Sequence, residues 1–324
     1  MSKPDPPFAV RHVLGSMLIR NSDGNNKAAA RPIQCIAVLG AGTMGHGIAQ
    51  VAAAAGYEVM LRDINEDSVA RGRQAIEHNL AKGVQLGKVT EQDRDQTLAR
   101  IRTTTQLEDI AEADLIIEAA PESLELKQNL LRESESLTNP NCIFASNTSS
   151  LSISQIARAS ARPEKVIGMH FFNPVHIMRL VEIVVGEQTA ASTTEFVRIV
   201  AAAIKKEPIV VRDVPGFASS RLGVTLGLEA MRMIEQGVAS ARDIDTAMEL
   251  GYNHPMGPLR LTDLVGLDVR LNIAEYLHQQ LGSETFRPPE ILRRMVREGK
   301  LGKKSGEGFY RWNDQDKAQK AYTT

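Results

Sequence analysis

The sequence predicts an α/β protein in which a mostly parallel sheet domain is followed by an all-helical domain. Three observations predict it. Between Ile33 and Asp213 short apolar runs alternate with helix-length stretches. A glycine-rich segment, Gly40–Gly45, separates the first such run from the first such stretch. After Val214-Pro215-Gly216 the strand-like runs stop and only helical patterns continue. Strands alternating with helices imply parallel strands covered on both faces. The organisation expected is an extension at 1–31, a sheet domain at 32–214 and a helical domain at 215–324.

The extension carries Pro4, Pro6 and Pro7 and the stretch Asn21–Asn26, with no sustained period, and reads as flexible. Its Arg11, Arg20 and Arg31 outnumber Asp5 and Asp23, so a mitochondrial transit peptide is the alternative. The runs Cys35–Leu39, Val59–Leu61, Leu115–Glu118, Cys142–Ser146, Val166–Met169, Leu180–Val185 and Pro208–Val211 read as strands. Between them Thr43–Ala55, Glu66–Lys82 and Leu124–Leu137 read as helices. Past the boundary, helical patterns cover Ser219–Gln236, Ala241–Glu249, Leu267–Leu281 and Pro289–Arg297. They are punctuated by Gly237, Gly251, Gly257 and Gly282.

The chain has 324 residues, 43% hydrophobic and 24% charged, enough for a sizeable core and about two domains. A formal net charge of -1 argues against nucleic acid or an anionic membrane as partner. The apolar runs are too short and too often interrupted to cross a bilayer. Cys35 and Cys142 both sit in strand-like runs and read as reduced core thiols, which suits the cytoplasm, with the mitochondrial matrix as alternative.

Gly40-Ala41-Gly42-Thr43-Met44-Gly45 follows an apolar strand and opens a helix, the arrangement of a Rossmann-type dinucleotide loop. Gly40 permits the tight turn, Gly42 lets the backbone approach a pyrophosphate, and Gly45 lets helix and strand pack closely. The helix start offers unpaired N–H groups and a partial positive charge to phosphates. Asp63 ends the next strand and can accept from a ribose 2′-hydroxyl while repelling a 2′-phosphate, which selects NAD. Arg62 beside it softens that discrimination.

In Gly168-Met169-His170-Phe171-Phe172-Asn173-Pro174 a histidine ends an apolar strand, where ligands bind in open α/β sheets. Glu182 interrupts the next apolar strand, and a buried carboxylate is costly unless paired. The strand–turn–strand spacing can return Glu182 against His170. Such a pair fixes the imidazole tautomer and stabilises the imidazolium that forms on taking a proton. The polar loop Ser146–Ser150, after another strand, offers hydroxyl and amide donors; Ser150 and Ser152 also suit helix capping. His46, His78 and His278 read as surface or packing residues. His176 has no Cys or acidic cluster to make a metal site, so no metal is expected. Gly302-Lys303-Lys304-Ser305-Gly306 lacks the upstream glycine of a triphosphate loop.

Together with Val181-Glu182-Ile183, Asp213–Phe217, Asp243–Met248, Met256-Gly257-Pro258 and Gly302–Tyr310, these blocks make the chain resemble the short-chain 3-hydroxyacyl-CoA dehydrogenase family. The bacterial 3-hydroxybutyryl-CoA dehydrogenases belong to that family. The resemblance implies reversible NAD-dependent oxidation of an L-3-hydroxyacyl-CoA thioester, with His170 as base and Glu182 orienting it. It places Ser149 and Asn173 near the substrate oxygens and nicotinamide, and Glu122, Lys127 and Lys304 among the cofactor contacts beside Thr43 and Met44. It implies a homodimer built through the helical domain. One departure stands out: the family's active-site Asn before the Arg that follows the Pro-Gly-Phe turn is Ser220 here, shorter and without an amide. Lys82 and Lys88 are candidate partners for coenzyme A phosphates. A dehydrogenase of a free hydroxy acid or sugar acid, such as gulonate, shares the same pair, and a non-catalytic crystallin-like relative shares the fold.

Overall fold

A computed structural model describes residues 33–312, so the extension expected at 1–31 lies outside the described residues. Eight strands and eleven α-helices follow in chain order. The first half runs β1 (Cys35–Leu39), α1 (Gly45–Ala54), β2 (Glu58–Arg62), α2 (Glu66–Gln85), α3 (Glu91–Ala99), β3 (Ile101–Thr104), β4 (Leu115–Glu118) and α4 (Leu124–Leu137). Next come β5 (Ile143–Ser146), α5 (Ile153–Ala157), β6 (Val166–Phe171), β7 (Leu180–Val185), α6 (Ala191–Ala203) and β8 (Glu207–Arg212). The helical domain is α7 (Ser219–Glu235), α8 (Ala241–Gly251), α9 (Pro258–Val265), α10 (Leu267–Leu281) and α11 (Glu290–Arg297).

The sheet has the order β3-β2-β1-β4-β5-β6-β7-β8. Every pairing is parallel except β6 with β7, which a hairpin-like connection makes antiparallel. The order reverses between β1 and β4, and the crevice at such a switch point is where open α/β sheets bind ligands. Strand alternation divides the core into two faces. Ile36 and Val38 pack toward α1 and α6, with Val197 and Ile204, whereas Ala37 and Leu39 pack toward α4 and α5, with Leu131 and Ile156. Each buried aliphatic side chain contributes about 1.5–3 kcal/mol, so a β1 that is apolar on both faces belongs at the centre of the sheet.

Side-chain caps fix the helix starts. Asn65, Thr90, Ser123, Ser152 and Ser240 accept from N–H groups in the first turns of α2, α3, α4, α5 and α8. Ser152 thus caps α5 as expected; Ser150 does not, for its hydroxyl is engaged elsewhere. In the helical domain Leu228, Met231, Leu259, Leu267, Leu277 and Leu292 form the third core cluster. Asp263, 1% exposed, accepts from the backbone N–H of Phe309 and Tyr310 (2.9 Å each) and from Trp312 Nε1 (2.8 Å), pinning the tail back onto α9.

Four elements escaped the apolar patterns: β3, α3, α6 and α9. Cys142 is buried, but Cys35, at the mouth of β1, is only half-buried. No helix among the described residues is long and apolar enough to cross a membrane.

Candidate active site

The nucleotide loop begins where β1 ends. Gly40 takes φ +103, a left-handed backbone, and its N–H donates to Arg62 O at 2.7 Å. A Cβ on Gly45 would sit 1.7 Å from Gly40 O, so that position admits glycine alone. A Cβ on Gly42 would meet nothing within 4 Å, leaving the backbone open on that side. Met44, at the N-cap of α1, makes no side-chain cap and the first turn carries no acid. The orphan N–H groups there suit a pyrophosphate. Asp63 Oδ2 accepts from Ala41 N at 2.7 Å and Oδ1 from Ile64 N at 2.7 Å, which locks the carboxylate beside the loop. Between them lies a cleft of about 290 Å³ lined by Gly42, Thr43, His46, Asp63, Ser68 and Arg71. These residues fit a dinucleotide. His46, set aside from the sequence, lines this cleft with Nδ1 2.8 Å from Gly42 O. Ser68 and Arg71 were missed; their signal was position on the helix that follows Asp63.

The polar loop after β5 is organised by one acid from the segment that follows β4. Glu122 Oε1 accepts from Thr148 Oγ1 (2.6 Å), Ser149 N (3.1 Å), Ser150 N (3.1 Å) and Ser150 Oγ (2.9 Å). Burial pushes its carboxyl up, but the Thr148 hydrogen bond, Lys127 and the serine donors together hold it below the usual range. Lys127 is 1% exposed and meets Glu118 (2.7 Å), Ala120 O (3.1 Å) and Glu122 (3.4 Å). It lies beside the loop, next to Glu122. Ser149 is left exposed at the carboxyl edge.

His170 and Glu182 face each other in the β6–β7 register, and His170 Nδ1 is 2.8 Å from Glu182 Oε2. Glu182 is fully buried. Its oxygens also accept from Ala218 N (3.2 Å), Ser219 N (2.8 Å) and Ser219 Oγ (2.8 Å). Desolvation pushes the Glu182 carboxyl up, yet hydrogen bonds from His170 and Ser219 outweigh it and hold it below the usual carboxylate range. With Nδ1–H donated to the carboxylate, Nε2 remains as the basic nitrogen. Phe172 and Phe217 flank the imidazole at centroid distances of 4.6 and 5.8 Å. Asn147 Oδ1 accepts from Phe171 N at 2.9 Å, tying the polar loop to the end of β6.

Asn173 is exposed in the connection that follows, just before the cis peptide to Pro174. That connection is held by the buried Lys206 ammonium, which donates to Val175 O and, at 2.8 Å, to Met178 O. Ser219 reaches the pair through its hydroxyl, and Ser220 is the next residue of α7. Lys304 pairs with Asp268 at 2.5 Å, on the helical side. Lys82 lies inside α2, which runs to Gln85, and Lys88 lines a separate cleft of about 410 Å³ with Arg100, His176, Arg179 and Lys205. Neither lysine is among the hydrogen-bond partners of His170 or Glu182. Among the described residues no cluster of metal-binding side chains occurs.

Residues 35–214 match the family model of the 3-hydroxyacyl-CoA dehydrogenase NAD binding domain, and residues 216–312 that of its C-terminal domain. A probable 3-hydroxybutyryl-CoA dehydrogenase of Deinococcus radiodurans is 46% identical over 275 residues, covering 85% of this chain and 99% of the relative. A probable 3-hydroxybutyryl-CoA dehydrogenase of Bacillus subtilis is 43% identical over 282 residues, covering 87% of this chain and 98% of the relative. The crystal structure of (S)-3-hydroxybutyryl-CoA dehydrogenase from Ralstonia eutropha superposes with a TM-score of 0.84 at 40% identity, covering 87% of this chain and 100% of that one.

Proposed function

The chain belongs to the 3-hydroxyacyl-CoA dehydrogenase family, and we propose that it oxidises a short L-3-hydroxyacyl-CoA, such as 3-hydroxybutyryl-CoA, reversibly to the 3-ketoacyl thioester. The observation that carries this reading is the 2.8 Å contact between His170 and the buried Glu182, at the carboxyl end of β6 in a sheet whose switch point holds the nucleotide loop.

When bound, NAD supplies the acceptor for the hydride that leaves C3. Gly40, Gly42, Thr43, Met44 and Gly45 hold its pyrophosphate against the start of α1, and Asp63 accepts from the adenosine ribose. His170 Nε2 takes the hydroxyl proton. The imidazolium so formed is stabilised by Glu182, whose anionic form is maintained by its other donors. Ser149 and Asn173, on the loops either side of His170, donate to the substrate oxygens. Glu122 and Lys127 contact the cofactor, and the hydrogen bonds to Glu122 hold Ser149 in place. Lys88 and Lys82, at the far end of α2, serve the coenzyme A phosphates, and Lys304 approaches the cofactor from the helical side. The chain acts as a homodimer through its helical domain, in the cytoplasm. The dimer is supported by exposed Leu222 and Leu264 on that domain and by a buried guanidinium there, Arg270, with no acceptor among the described residues.

His170→Gln should keep NAD affinity by calorimetry while turnover falls about 10²–10⁴-fold, the usual worth of a positioned acid–base group. Equal turnover in mutant and parent would remove His170 from this role. Parallel assays with 3-hydroxybutyryl-CoA, free 3-hydroxybutyrate and gulonate test the substrate; activity confined to the free acids would defeat it.

A further inference from the structure

We infer that Ser219 is a positioning residue for the His170–Glu182 pair: its hydroxyl and N–H, in the first turn of the helical domain, hold the carboxylate in the orientation that grips the imidazole. This rests on His170 being the base.

Glu182 is fully buried and accepts four hydrogen bonds, of which Ser219 supplies two and the neighbouring Ala218 N–H a third. Ala218, at the N-cap of α7, has no side-chain oxygen to satisfy the first-turn donors. The carboxylate from β7 therefore serves as that helix's cap, its charge placed at the positive end of the helix dipole. The carboxylate that orients His170 and the start of the second domain are one hydrogen-bonded unit. No acid–base role was assigned to this position from the sequence, because nothing local marks a serine 37 residues from its partner.

The hydroxyl does more than fill space. Ser219 Oγ donates to Oε2, the same oxygen that accepts from His170 Nδ1. Two donors on one oxygen share its negative charge, so the serine restrains how strongly the carboxylate stabilises the imidazolium. The surroundings leave few other groups to do so. Across β8 the register partner of Glu182 is Ile209, which cannot ionise. On α7 Arg221 stacks over the Phe286 ring at 5.9 Å, and Asp213 is committed to Ser152 Oγ and the N–H groups of Ile153 and Ser154. The titratable group facing Glu182 is His170, from β6.

The test compares the full-length parent with Ser219→Thr, Ser219→Cys and Ser219→Ala. Two readouts are needed: the pH dependence of kcat/KM with 3-hydroxybutyryl-CoA and NAD, and the NMR titration of the His170 ring in the protein without substrate, assigned by its loss in His170→Gln. In Ser219→Ala, kcat should fall about tenfold, the scale of a lost hydrogen bond to a charged group. The ring titration should move away from the parent's, because the carboxylate that faces the imidazole has lost a donor on the same oxygen. Threonine should restore both and cysteine, a weak donor, should fall between, which keeps the series readable if the alanine variant does not fold. A lower kcat with an unmoved ring titration across the series would reduce Ser219 to a structural residue and overturn the inference. The ring titration needs no turnover, so it stands apart from any failure of His170 as base.

Discussion

Lys127 and Arg270 are both cations withdrawn from water, one in each domain, and their surroundings treat them in opposite ways. Lys127 is 1% exposed and meets Glu118 at 2.7 Å, Ala120 O at 3.1 Å and Glu122 at 3.4 Å. Arg270 is 8% exposed, its Nε finds no acceptor, and burial alone pushes its guanidinium down to about 10. Among the described residues no acid answers it. A buried charge is tolerated when it is paired and is a liability when it is not. The sheet domain thus answers the Lys127 charge with two carboxylates, and that group supports the polar loop. The helical domain leaves a donor open beneath α7, close to Gly223, whose Cβ would approach the guanidinium at 3.4 Å. That open donor is one of the observations behind the homodimer proposed above.

The largest effect expected from this contrast is at Lys127. Lys127→Met keeps the volume but leaves Glu118, which is fully buried, without its cation. Breaking such a pair costs about 3–5 kcal/mol, to be read as a fall in urea midpoint with unchanged slope. A loss below about 1 kcal/mol, the range of surface pairs, would show that the two cations are not so different after all. Arg270→Met should behave in the opposite sense. Replacing an unanswered buried charge by an apolar side chain should leave the isolated chain as stable or more so, by up to about 4 kcal/mol, while weakening self-association in sedimentation equilibrium. Destabilisation of the dilute protein with association intact would place the missing acceptor inside the chain and dissolve the contrast.

The same contrast explains what the sequence could and could not disclose. Strands with two buried faces announce themselves: β1, β5 and β6 are apolar runs, the loops after β1 and β5 carry the glycines and Ser149, and β6 carries His170 next to its last residue. β3, Ile101-Arg102-Thr103-Thr104, is an edge strand with one buried residue, so its pattern carries little apolar signal. α9 spans eight residues and starts at a proline, which leaves scant periodicity to detect. Glu182 was legible because a carboxylate inside an apolar strand demands a partner, and the hairpin spacing offered His170. The other donors to it were not, because they come from across the domain boundary. The departure visible by resemblance lay at Ser220, while the contact lies at Ser219. Lys127 shows the reverse limit: resemblance points to the cofactor, and only packing reveals that its ammonium also meets Glu118 and Glu122.

The smallest effect separates the two ends of the Lys127 network itself. Glu118 is sealed, whereas the Glu122 side chain is 37% exposed, so solvent screens much of what it contributes. Its carboxyl, raised by burial but lowered more by Thr148, Lys127 and the serine donors, ends below its ordinary value. A depressed carboxyl stabilises the fold above the unfolded value of about 4.3 and ceases to do so as pH falls through the folded one. Glu122→Gln should therefore cost about 1 kcal/mol or less at neutral pH, and the difference from the parent should close in acid as the parent's own carboxylate is protonated. The amide keeps one acceptor for Thr148 but loses its attraction to Lys127, so Ser149 should become looser and KM should rise more than kcat falls. A stability gap that persists unchanged into acid would mean that the charge on Glu122 does not organise the loop, and that its five hydrogen-bond donors would be served equally by a neutral acceptor.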